Sequence, residues 1–157
     1  MKPLLLIAAL AVAAPVAAQA PAADPTGFAS AADVQAAVAK MAAGMKPGQG
    51  FAYAPLVRDG ATVAALEYWK APGKPAVHPA DAEYTIVIAG AGTLISGGRM
   101  VDPHTTRADL VEGSRIEGGT TRPLGVGDVM LIPAGTPHYF GITGGKLVLL
   151  GMKLARK

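Results

Sequence analysis

Apolar positions follow a helical period only once along this chain. Between residues 30 and 46, Ala32, Val34, Ala37, Val38, Met41 and Met45 share one face, Ser30 and Asp33 form a capping pair, and Gly44 and Pro47 close the run. The spacing predicts one N-terminal helix that packs on the rest of the protein or meets a second copy; its face carries no reactive group. From Phe51 onward the pattern becomes short apolar runs separated by turn residues, the mark of an all-β sandwich or barrel. Asp59-Gly60 lies between runs 51–57 and 62–69 and predicts a hairpin turn. Gly90-Ala91-Gly92, between runs 83–89 and 93–96, and Gly144-Gly145, between runs 139–142 and 146–152, are expected to turn the chain in the same way. Successive hairpins imply a mostly antiparallel sheet that closes or packs on itself.

Residues 97–127 are more polar and less regular, with Arg99, His104, Arg107, Arg115 and Arg122. One or two strands and a loop at the barrel mouth are expected there. Tyr68 and Trp69 are adjacent on a strand, so one of the two should line the interior.

The length of 157 residues fits one domain, read here as a barrel over residues 51–153. Residues 1–20 carry Lys2, an apolar stretch over 4–14 and the small-x-small end Ala18-Gln19-Ala20, which read as a secretory signal peptide. Pro15 and Gln19 cut the stretch below the length of a membrane anchor. The mature protein is accordingly expected in a periplasm or outside the cell, free of the membrane, with 21–29 as a flexible spacer. The absence of cysteine excludes disulfides, thiolate catalysis and cysteine-based zinc sites. A net charge of +3 with no basic run gives nucleic acid nothing to recognise.

Candidate chemistry is confined to two segments. The first is His78-Pro79-Ala80-Asp81-Ala82-Glu83, with Glu83 opening a strand that reaches Gly90. The second runs from Gly127 through an apolar strand to Pro133-Ala134-Gly135-Thr136-Pro137-His138. Pro133-x-Gly135 supplies a sharp reversal that fixes where His138 points, and a barrel can bring a strand-opening Glu to a His carried by another hairpin.

These segments resemble the two motifs of the cupin superfamily, G-x5-H-x-H-x(3,4)-E-x6-G and G-x5-P-x-G-x2-H-x3-N. Gly127, Pro133, Gly135 and His138 match the second in register, with Ile142 in place of its closing Asn. His78, Glu83 and Gly90 match the first, whereas Lys70 replaces its opening Gly and Ala76 its first His. The resemblance implies an antiparallel double-stranded β-helix, the jelly-roll barrel, with a homodimer as the expected assembly. It also implies one divalent metal, Fe, Mn, Zn, Ni or Cu, held by His78, Glu83 and His138. Two imidazoles and a carboxylate leave open positions and suit several of these metals.

Fold resemblance selects no reaction. One reading is an exported metalloenzyme of dioxygenase, isomerase or lyase type acting on a small organic substrate. The other, favoured by Ala76, is a barrel that binds or senses a small ligand with weak metal binding or none. The residues beside the ligand set with acid/base capacity are Asp81, Tyr84 and His104. Asp81 otherwise orients His78 or stabilises a turn, Tyr84 should face away from Glu83, and His104 lies in the irregular segment.

Overall fold

The computed structural model describes residues 23–155. The signal-peptide reading of residues 1–20 therefore lies outside the described residues. Among the described residues, no helix is long and apolar enough to cross a membrane.

Helix α1 (Ala31–Gly44) begins as its spacing predicts. Ser30 accepts from the Asp33 backbone N–H, and the Asp33 side chain accepts from the Ser30 N–H, a closed capping box. Val38 and Met41 are buried against Leu66, Tyr68 and Val148. The apolar face of the helix is thus taken up within the chain, on the outer side of the sheet.

Eleven strands follow: β1 (Phe51–Asp59), β2 (Thr62–Trp69), β3 (Ala76–Val77), β4 (Asp81–Ser96), β5 (Arg99–Val101), β6 (His104–Arg107), β7 (Leu110–Glu112), β8 (Arg115–Glu117), β9 (Thr120–Leu124), β10 (Val129–Ile132) and β11 (His138–Ala155). Strands β1 and β2 pair antiparallel across Gly60, as Asp59-Gly60 predicts. Further round, β2 pairs with β11, and β11 pairs with both β3 and β4. On its other edge β4 carries β9 and β10, while β5 and β8 form a separate ribbon. The result is a curled antiparallel jelly-roll barrel with one N-terminal helix.

Two expectations about turns are overturned. Gly90-Ala91-Gly92 does not reverse the chain, because β4 runs unbroken through it for 16 residues. Gly144-Gly145 likewise lies inside β11, which is 18 residues long. These two long strands pair from His138↔Ser96 to Ala155↔Asp81, with register shifts between Ile142 and Leu147 and between Val148 and Leu149. The glycines let the paired ribbon bulge and bend rather than end. The segment 97–127 is also richer than expected, with five short strands, β5 to β9, in place of one or two. Their lengths of three to five residues and polar sequences leave little periodicity to read.

Alternation along the strands sorts side chains into two cores. Val87, Leu147, Leu149 and Phe140 point into the barrel, whereas Leu66, Tyr68 and Val148 point to the helix. Leu66, Leu147 and Leu149 are fully buried, each contributing about 1.5–3 kcal/mol of transfer free energy. The same inward parity selects Glu83 and Thr85 ahead of Val87, and Gly151 and Lys153 beyond Leu149.

Candidate metal centre

The turn that aims His138 is a closed reversal. Thr136 N–H donates to Pro133 O at 3.1 Å, and Gly135 takes a φ of +77°, which a residue without Cβ adopts freely. Gly135 N–H also donates to His78 O at 2.8 Å, so this reversal is tied to the segment carrying the other histidine. His78 follows β3, whose Ala76 is paired directly with His138. Ala76, which stands where the motif has its first His, therefore lies beside the site and lines its cavity, but offers it no ligand atom.

His78, Glu83 and His138 come together, with one ligand atom from each lying within 4.8 Å of the others. Glu83 Oε2 is 3.4 Å from His78 Nε2 and 3.3 Å from His138 Nε2. Ligands about 2.1 Å from a single ion stand about 3.0–3.4 Å apart at octahedral or tetrahedral angles, so the set has the size of a metal seat. The far sides of both rings are fixed as well: His78 Nδ1 lies 2.9 Å from Asp109 O and His138 Nδ1 3.0 Å from Thr136 O. A carbonyl only accepts, so each Nδ1 carries its proton and donates. In the neutral rings both Nε2 lone pairs then face the Glu83 carboxylate, an all-acceptor cluster that calls for a cation. The donor set fits a divalent metal.

Lys153 is the side chain that meets this demand in the chain itself. It stands directly opposite Glu83 in the β4–β11 ladder, and its Nζ contacts Glu83 Oε2 and lies 2.8 Å from His78 Nε2. Burial pushes the Glu83 carboxyl up, but Nε2–H donation from His138 and His78 in their protonated form, together with the Lys153 charge, outweighs it and holds the group well below the usual carboxylate range.

The triad opens into a cavity of about 840 Å3. Phe51, Trp69 and Phe140 supply apolar wall, and Arg107, Asp109 and Glu112 supply charge. Of the Tyr68 and Trp69 pair, Trp69 lines the cavity and Tyr68 is buried under the helix. Asp81, Tyr84 and His104 are not among the lining residues. Tyr84 has the parity opposite to Glu83. His104 sits exposed at the start of β6, 3.9 Å from Glu112 Oε2, whereas Arg107 at the other end of the strand reaches the cavity wall.

Sequence reasoning missed two groups, Lys153 and Glu67. Glu67 is two residues before the inward Trp69 and Lys153 four after the inward Leu149, a parity that can be counted only once the inward frame is known. Glu67 lies in the cavity wall and accepts from Trp69 Nε1–H at 3.2 Å. Burial pushes its carboxyl up and the nearby Glu83 adds to this, outweighing the pull of Lys153, Trp69 and His78. An acid with a raised value contributes stability that is complete below its unfolded value, about 4.3, and is lost as pH rises through the folded value. Glu67→Gln is therefore expected to be more stable than wild type at pH 8 and to lose less stability between pH 5 and pH 8. Urea denaturation at the two pH values checks this; an unchanged pH slope would contradict a raised carboxyl.

No family model and no curated protein matches this sequence. Solved structures do match its fold. The dimethylsulfoniopropionate (DMSP) lyase DddQ from Ruegeria pomeroyi aligns over 84% of this chain and 68% of its own, at 20% identity and a TM-score of 0.53. The hydroquinone 1,2-dioxygenase PnpCD aligns over 69% of this chain and 67% of its own, at 14% identity and a TM-score of 0.52. The cupin domain of Cnp3 from Schizosaccharomyces pombe aligns over 69% and 63%, at 13% identity and a TM-score of 0.50. The fold is that of a cupin barrel, as the two sequence motifs imply.

Proposed function

We propose that this protein is a metal-dependent cupin enzyme that binds one divalent ion through His78, Glu83 and His138 and acts on a small organic molecule in the adjoining cavity. The observation that carries the proposal is the convergence of Nε2, Nε2 and Oε2 within 4.8 Å, with both Nδ1 atoms tied to backbone carbonyls. Bound there, the ion would supply Lewis-acid polarisation of a carbonyl or carboxylate, or a site for oxygen. Solved structures of this fold include a lyase and a dioxygenase, so the barrel by itself selects neither.

The chain's own residues favour the proton-transfer side of that choice, an isomerase or lyase. Glu67 faces the same cavity with a carboxyl that burial and the nearby Glu83 push up, which suits it to give or take a proton. Trp69 fixes one of its oxygens, and Phe51, Trp69 and Phe140 give the cavity an aromatic wall.

A second reading, a ligand-binding barrel without metal, is favoured by one feature, the Lys153 ammonium seated on Glu83 and His78. Metal content separates the two. Purified without a His tag and reconstituted with Fe, Mn, Ni, Cu or Zn, the protein is expected to hold close to one ion per chain by plasma mass spectrometry. Failure to retain any of them would remove the metalloenzyme reading.

Export and a homodimer belong to the same proposal. Export rests on residues 1–20. Pairing rests on Val129 and Leu131, 58% and 61% exposed on β10, which pairs on one side only with β4. Sedimentation and N-terminal sequencing of the exported protein should find a dimer beginning at Pro21; a monomer or an intact Met1 would remove the corresponding part.

A further inference from the structure

We infer that Lys153 is a tethered cation that occupies the metal seat in the metal-free protein, so that an incoming ion binds by displacing its ammonium group into the cavity. This rests on the metal reading of the triad. Three observations carry it. With both rings neutral the triad presents only acceptors to its centre, because each histidine spends its one proton, on Nδ1, on a carbonyl, Asp109 O for His78 and Thr136 O for His138. Such a centre is unfavourable without a positive charge, since two lone pairs and a carboxylate face one another in a buried pocket. The Lys153 Nζ fills that place, touching Glu83 Oε2 and His78 Nε2, two of the three ligand atoms.

Displacement is mechanically simple. Lys153 shares the ladder position opposite Glu83, so its backbone is fixed, while its side chain is 38% exposed and lines the cavity. A flexible four-carbon stem can withdraw without moving either strand. The two occupants exclude each other electrostatically: an ammonium in contact with Glu83 would stand within a few ångströms of a divalent ion on the same carboxylate. Glu83 keeps a positive partner in both states, and the apparent metal affinity is lowered by the fraction of time the ammonium holds the seat. The lysine thereby sets a threshold of metal concentration below which the site is closed but not left with an uncompensated buried charge.

Zinc affinity, measured by competition with a chromophoric chelator for wild type and Lys153→Met, tests this. The variant is expected to bind at least about tenfold more tightly, as follows when the competent state of the wild type is a minor one. A second readout uses wild type alone: acylation of Lys153, followed by peptide mass spectrometry, should speed up on zinc loading, while that of Lys40 and Lys70 stays unchanged. This labelling decides the matter if Lys153→Met does not fold. Zinc binding to both proteins with equal affinity, or Lys153 labelling indifferent to zinc, would overturn the tethered-cation role and leave the metal site standing. Binding to the variant but not to wild type would support it. Zinc binding to neither protein would overturn both.

Discussion

His138→Ala is expected to lose bound metal, with affinity falling by at least about two orders of magnitude, while His104→Ala keeps the wild-type content. The contrast follows from position. His138 is 4% exposed, its Nε2 is 3.3 Å from Glu83 Oε2, and its ring is held by Thr136 O, so no neighbour can take its place. Ala76, the residue paired with it on β3, carries no ligand atom. The variant would leave His78 and Glu83 alone, and Lys153 already competes for both. His104 is exposed on β6 and faces Glu112 rather than the triad. Plasma mass spectrometry of the three proteins after identical reconstitution gives the answer, with circular dichroism to show that each is folded. Equal metal in wild type and His138→Ala would contradict the ligand assignment.

Gly90→Ala is expected to cost about 3–5 kcal/mol. Two effects add. Gly90 has a φ of +80°, where an alanine is strained, and a Cβ there would lie 2.1 Å from Lys146 O on the neighbouring strand. The neighbour is a backbone carbonyl, next to Leu147, which pairs with Gly90, so relief requires the chain itself to shift. Gly97→Ala isolates the first effect: its φ is +77°, but no atom lies within 4 Å of the added methyl. That control should cost about 1 kcal/mol. Denaturant midpoints of the two variants measure the difference, and equal losses would show that the ribbon yields at Gly90.

The same glycine shows why part of the fold was legible in the sequence and part was not. Gly90 closes a motif segment and its sequence context predicts a hairpin turn, because local pattern cannot separate a glycine that reverses a chain from one that lets two strands approach. The distinction lies in Lys146, 56 positions away. Asp59-Gly60 was readable because two alternating runs flank a two-residue loop, all of it local. The helix was readable for the same reason, from Ser30, Asp33 and one apolar stripe.

The triad was legible through motif spacing, and Ala76 as a missing ligand could be placed by register. Lys153 was not, since nothing local says that the Lys153 position faces Glu83. Parity offered a clue, with Leu147, Leu149, Gly151 and Lys153 on one face, but the frame needs to be known before the count can begin. Glu67 was hidden in an apolar run between the named Tyr68 and the unremarked Leu66. A charged residue on the inward parity of a barrel strand is the signal that was available, and it marks both groups.

Whether His78, Glu83 and His138 form one metal seat is decided by anomalous diffraction from crystals of the zinc-loaded protein. A single strong peak is expected about 2.0–2.2 Å from both Nε2 atoms and a Glu83 carboxylate oxygen. A peak at other residues, or a triad that stays metal-free at saturating zinc, would contradict the three-ligand seat.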